Sequence, residues 1–228
     1  MERINFVNHI IYPRIINSLF SHRKVPSMKR IFTMILPILL LTSALSAQTV
    51  WKADRSHSSV TFSVTHLVIS EVTGRFTDFD VTLTQGKDDF SGSTVEASIK
   101  TASINTDNEF RDKDLRSGNF FTADSFPTIT FKTSSFEKTG EGSYKITGML
   151  TIRDVSKEVT LDGKLLGTMT DPRGNTKMGF KATTSIDRFD YGVKWDRKLD
   201  SGGLVVSKNV DITLLMALAK QKTAPAKD

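Results

Sequence analysis

The stretch Val60 to His66, V-T-F-S-V-T-H, alternates apolar and polar residues without a break. Val60, Phe62, Val64 and His66 fall on one side, and Thr61, Ser63 and Thr65 on the other. That is the period of an extended strand with one oily face. The same alternation returns along the chain, and eight strand-like segments can be read in all. An antiparallel sheet of that size hides its oily face by closing on itself, and a closed sheet with an oily inside is a container.

The first segment runs from about Val50 through Ile69, with a bend at Asp54 to Ser58, and the second from Val72 to Leu83. Within the second, Val72, Gly74 and Phe76 occupy even positions while Phe79, Val81 and Leu83 occupy odd ones. Such a slip predicts a bulge near Thr77-Asp78, of the kind that bends barrel strands. Later segments carry Val95, Ala97 and Ile99; Ile129 and Phe131; Tyr144, Ile146, Leu150 and Ile152; and Val159, Leu161 and Leu165. The last two carry Met178, Phe180 and Ala182, then Val206, Val210, Ile212 and Leu214. Gly86–Asp89, Gly140–Gly142 and Asp171–Asn175 have the composition of reversals between antiparallel strands.

Thr106 to Pro127 breaks the pattern. Thr106 followed by Glu109 has the spacing of a capping box, which predicts a helix start. Asp107/Arg111 and Asp112/Arg116 are four apart and suited to pairing on one helix face, and Gly118 is placed to end the helix. A single helical insertion in an antiparallel barrel is expected to close one end.

The N-terminal 47 residues stand apart. Met28-Lys29-Arg30, the apolar run Ile31 to Leu41 and the small residues Ser43 to Ala47 follow the order of a secretory signal peptide over 28–47. Residues 1–27 precede that fresh start and read as a misassigned upstream start, with translation beginning at Met28. The expected barrel domain is then 48–219, followed by a frayed tail over 220–228. Charge follows the same division. Removing six basic and one acidic residue of the leader from totals of 31 and 25 leaves 25 against 24, a net of +1. Interspersed charges of that balance leave no electrostatic footprint for nucleic acid. With no cysteine, thiol catalysis and covalent haem attachment are excluded.

Five motifs in this order resemble the YceI-like family of exported lipid-binding barrels, also called polyisoprenoid-binding proteins. They are H-S-S-V-T-F-S-V-T-H (57–66) with G-R-F-T-D-F (74–79), N-E-F-R-D-K-D-L-R-S-G-N-F-F (108–121), F-P-T-I-T-F-K-T (126–133), L-T-I-R-D-V-S-K-E-V-T-L (150–161) and I-D-R-F-D-Y-G (186–192). The resemblance covers about Trp51 to Leu218. It implies an all-β fold: an extended, lipocalin-like, eight-stranded antiparallel barrel with a short helical insertion, holding a long apolar lipid. It implies a non-catalytic carrier in the periplasm, with full secretion as the alternative. Polyisoprenoids lead the ligand classes, with isoprenoid quinones and fatty-acid derivatives beside them. Tyr191 stands where the family is expected to have Phe more often, and its hydroxyl needs a partner or water if buried.

The apolar stripes read first as barrel core, and the resemblance adds the reading of a tunnel wall, with Phe62, Val64, Phe79, Ile99, Phe131 and Ile146 as the expected lining. His66 shares the apolar parity of its strand and points inward or sits at the rim; His57 suits a turn. Arg111 and Arg116 read first as helix-surface partners of the nearby aspartates. The functional alternative is a grip on an anionic head group at the mouth, with Arg188 and Lys194 as weaker candidates. Phe120, Phe121 and Phe126 read as an end plug, or as an apolar lid that with Leu67-Val68-Ile69 touches a membrane. No G-x-S-x-G, H-E-x-x-H or glycine-rich phosphate loop is present, so no catalytic residue, cofactor or metal site is expected. Proton transfer on a bound lipid and a scaffold whose barrel is filled by its own side chains remain as alternatives. A homodimer is left open.

Overall fold

The computed structural model describes residues 48–200 and 203–222. The expected upstream start, the signal peptide and residues 223–228 of the tail lie outside the described residues. Eleven strands follow in order: β1 (Val50–Ala53), β2 (Ser59–His66), β3 (Ser70–Phe76), β4 (Phe79–Thr84), β5 (Thr94–Lys100) and β6 (Ile104–Asn105), then β7 (Thr128–Gly140), β8 (Ser143–Ile152), β9 (Val155–Thr170), β10 (Thr176–Asp187) and β11 (Asn209–Lys220). One helix, α1 (Glu109–Arg116), lies between β6 and β7.

Every pairing between these strands is antiparallel, and β1 contacts both β4 and β11, which closes the ring. Three staves of the barrel are each broken in two: β1/β2, β3/β4 and β5/β6. β4 joins β1 while β3 joins β2, and β5 joins β4 while β6 joins β3. Counted as staves, the barrel has the eight strands the alternation predicts, in simple up-and-down order. The breaks sit side by side. Asp54 caps a 3-10 turn over Arg55–His57, where His57 Nδ1 lies 3.0 Å from its carboxylate. Thr77-Asp78 interrupts the next stave, as the change of parity between Phe76 and Phe79 requires, and both phenylalanines remain buried. Arg55 crosses from the first break to Asp78 and Asp80, at 3.0 and 2.8 Å.

Two reversals fall where turn chemistry places them: Gly142 (φ 62°) in the β7–β8 hairpin and Gly174 (φ 79°) in the β9–β10 hairpin. The β2–β3 reversal departs from the sequence reading. The first stave ends at His66 rather than Ile69, and Leu67 and Val68 turn the chain at φ 51° and 65°. Neither residue favours that region, so no composition signal marked the turn. At the other end of the chain, β11 continues through Lys220, opposite Trp51, and the Gln221 N–H donates to the Val50 carbonyl, so the fraying expected from 220 does not begin there.

The end of the barrel that carries the β7–β8 and β9–β10 hairpins is packed shut by aromatic rings. Phe136, Tyr144 and Phe180 lie with centroids 5.2–6.1 Å apart, and Trp51 packs on Phe90 at 6.1 Å. The two polar tips find partners: Trp51 Nε1 donates to Gln85 Oε1 and the Tyr144 hydroxyl donates to the Asp89 carbonyl, both at 3.0 Å. The opposite end carries the β2–β3 hairpin, α1 with its following turns, the β8–β9 turn and residues 188–200 and 203–208.

Candidate functional site: the barrel lumen

Between the aromatic floor and α1 lies a cavity of about 630 Å³. Its wall is built by the inward parity of successive strands, so the same alternation that closes the barrel makes the lining apolar. Phe62, Val64, Ile99, Phe131 and Ile146, all expected in the wall, are there. Phe79 is not: it is 3% exposed and packs into the core at the stave break, below the wall surface.

Three glycines keep the lumen open. Gly74, Gly148 and Gly163 stand at inward positions where a side chain would project across the cavity. Aromatic rings lie flat over them instead. A Cβ on Gly74 would come within 2.4 Å of Phe62 Cζ, one on Gly148 within 2.7 Å of Phe131 Cζ, and one on Gly163 within 2.9 Å of Phe180 Cε1. The rings therefore form wall rather than filling. Single glycines inside alternating strands signal close approach, but the approaching ring could not be read from the sequence.

The mouth is organised around Thr106. Asp112, 5% exposed, accepts from the Thr106 N–H (2.8 Å) and hydroxyl (2.6 Å). Arg111 donates from Nε to that hydroxyl and from Nη2 to the Thr106 carbonyl, both at 2.8 Å. With its hydroxyl so engaged, Thr106 does not cap the helix. Asn108 does, accepting from the Arg111 N–H at 3.0 Å. The expected capping box and the Asp107/Arg111 and Asp112/Arg116 pairs are thus not formed. Asp107 reaches Arg75 instead, and the helix ends at Arg116 with Ser117 as its cap. Arg116 donates to the carbonyls of Ala102 (2.8 Å) and Ile104 (2.7 Å), fastening α1 to the third stave, and takes no part in the cavity wall. Arg111 does border the lumen.

Phe120 and Phe121 line the mouth side, Phe120 stacked on Trp195 at 5.6 Å and Phe121 edge-on to Phe76 at 6.1 Å. Phe126 packs under the Arg153 guanidinium, away from the lumen. His66 is half-buried at the rim and bridges to Val206. Phe110 borders the cavity and is 89% exposed, which marks the opening.

Arg188 borders the lumen as expected, but its guanidinium is occupied. It is 6% exposed and donates to the carbonyls of Ser207, Val193, Trp195 and Val206 at 2.7–3.1 Å. It ties Val193 and Trp195 to Val206 and Ser207 rather than offering a free cation. Burial depresses its pKa, with Asp187 and Asp196 opposing. At the last position of the same turn, Tyr191 also faces the cavity. Among the described residues, no group of three or more His, Cys, Asp or Glu is placed to hold a metal.

The YceI-like domain model matches residues 51–218. A UPF0312 protein of Serratia proteamaculans is 35% identical over 161 residues, 70% of this chain and 82% of that protein. The crystal structure of the Campylobacter jejuni YceI protein superposes with TM-score 0.58 at 32% identity, over 70% of this chain and 90% of that one. A polyisoprenoid-binding domain from Saccharophagus degradans, implicated in plant cell wall breakdown, shares the fold at TM-score 0.54 and 14% identity, over 75% and 98% of the two chains.

Proposed function

Since the chain belongs to the YceI-like family and its barrel encloses an apolar lumen, we propose that it is a non-catalytic carrier of a long apolar lipid. The observation that carries this reading is the 630 Å³ cavity, closed by aromatic rings at one end and open beside Phe110 at the other. A barrel filled by its own side chains would have no such space. Each buried methylene contributes roughly 0.8 kcal/mol, so such walls supply affinity with little chemical discrimination. The polyisoprenoid named for the Saccharophagus domain makes prenyl chains the first class to test. The leader-like sequence over 28–47 supports a periplasmic location for this carrier.

Exchange of so insoluble a cargo calls for contact with a bilayer. Val68 and Ile69, 69% and 88% exposed, protrude on the same end as Phe110 and are assigned to that contact. Native mass spectrometry of the protein taken from its own compartment, followed by solvent extraction, tests the carrier reading. A stoichiometric lipid is expected. Empty protein that also refuses prenyl and acyl lipids would overturn it.

A further inference from the structure

Several polar groups bordering the lumen are already engaged. Thr106 and Asp112 satisfy each other, and Arg188 spends four of its five N–H groups on main-chain carbonyls. Tyr191 is not engaged in this way. It is 2% exposed, and among the described residues its hydroxyl has no hydrogen-bond partner. No fully sealed side-chain nitrogen or oxygen lacks a partner, so this hydroxyl is not sealed in protein; the space that Tyr191 borders is the cavity. Its backbone is held firmly. The turn Arg188–Tyr191 starts on the Asp187 carboxylate, which accepts from the Phe189 N–H at 2.9 Å, and closes on Gly192 at φ 74°. The Gly192 carbonyl is held in turn by Arg153.

We infer that the Tyr191 hydroxyl donates a hydrogen bond to an uncharged oxygen of the bound lipid, the alcohol, ether or carbonyl oxygen next to its apolar chain. This rests on the carrier reading above. A buried phenol without a partner is costly, and a ligand oxygen removes that cost. Burial pushes the phenol pKa up to about 12, so the group is a donor at any physiological pH. A neutral oxygen fits better than a phosphate or carboxylate. An anion needs several donors or a cation beside it, and within the turn that carries Tyr191 the one cation, Arg188, is already spent on carbonyls. The oxygen end of the lipid then lies on the mouth side, under the residues that Arg188 ties together, with its tail toward Phe136 and Phe180.

The test uses the full chain and Tyr191→Phe, which removes only the oxygen. Three probes share one C20 chain: geranylgeraniol, the matching hydrocarbon without oxygen, and geranylgeranyl monophosphate. One net hydrogen bond corresponds to roughly a 2- to 12-fold change in Kd. Tyr191→Phe is expected to weaken geranylgeraniol within that range while changing the hydrocarbon less than about twofold. The wild type is expected to bind the phosphate more weakly than the alcohol. Equal changes for alcohol and hydrocarbon, or no change, would overturn the Tyr191 assignment and leave the carrier reading standing. Tighter binding of the phosphate would overturn the neutral head group. Failure of the wild type to bind any of the three would remove the carrier reading itself.

Discussion

Affinity should rise with ligand chain length and then stop rising, and the structure sets where. A methylene packed in the lumen occupies about the volume of a liquid water molecule, ~30 Å³. The cavity of about 630 Å³ therefore has room for on the order of 20 carbons. At roughly 0.8 kcal/mol per methylene, each added carbon tightens binding about fourfold until the lumen is full. Twenty carbons would contribute ~16 kcal/mol gross, against ~4–15 kcal/mol for association and ordering. A competition assay against a fluorescent lipid, run below the micelle concentration of every competitor, measures Kd for linear and prenyl alcohols from about 8 to 30 carbons. The expected curve climbs steeply and flattens near 20 carbons. Ala97→Phe, which projects a ring into the lumen from the β5 wall, should move the plateau several carbons shorter while sparing the shortest alcohols. An affinity independent of length, or one still climbing at 30 carbons with Ala97→Phe ineffective, would refute the idea that this lumen is the binding site.

Arg116→Ala should lower the melting temperature, because the Ala102 and Ile104 carbonyls lose their donor; alcohol and phosphate probes should be affected equally, and selective loss of the phosphate would restore a head-group role. Gly148→Ala sets a Cβ 2.5 Å from the Lys132 carbonyl oxygen, which is backbone and cannot rotate away, so destabilisation of several kcal/mol is expected in urea unfolding. Lys177 and then His57 hold the Asp54 carboxyl down from its usual 3.8 to about 2. The stabilisation is therefore present above about pH 4 and lost as pH falls toward 2; Asp54→Asn should flatten that acid limb in unfolding midpoints taken from pH 2 to 6. Ile69→Asp should abolish sedimentation with vesicles while leaving probe affinity within twofold; unchanged sedimentation would remove the β2–β3 hairpin from the membrane contact.

Alternation carried far. Val60, Phe62 and Val64 specified the stave and its inner face, and the parity change between Phe76 and Phe79 marked the break at Thr77-Asp78, because a side-chain period of two leaves no freedom about which residues share a face. Turns with glycine were legible at Gly142 and Gly174. The turn at Leu67-Val68 was not, since aliphatic residues at positive φ are held there by the strands on either side and announce nothing locally.

Which partners the arginines find escaped the sequence. Four-residue spacing suggested that Arg111 and Arg116 serve nearby aspartates, but the guanidinium groups reach Thr106, Ala102 and Ile104, groups that the fold brings beneath the helix. Arg188, a weaker candidate for the head-group grip, is a buried clamp on carbonyls up to nineteen residues away. No reading was attached to Gly148 or Gly163; the paired strands lay an aromatic ring over each of them and over Gly74. By itself the sequence determined that there is an inside and that it is oily, because that follows from one strand and its period. Tertiary structure decided that the inside is hollow and that Tyr191 is left without a protein partner, because volume and unspent donors belong to the closed assembly of all eight staves.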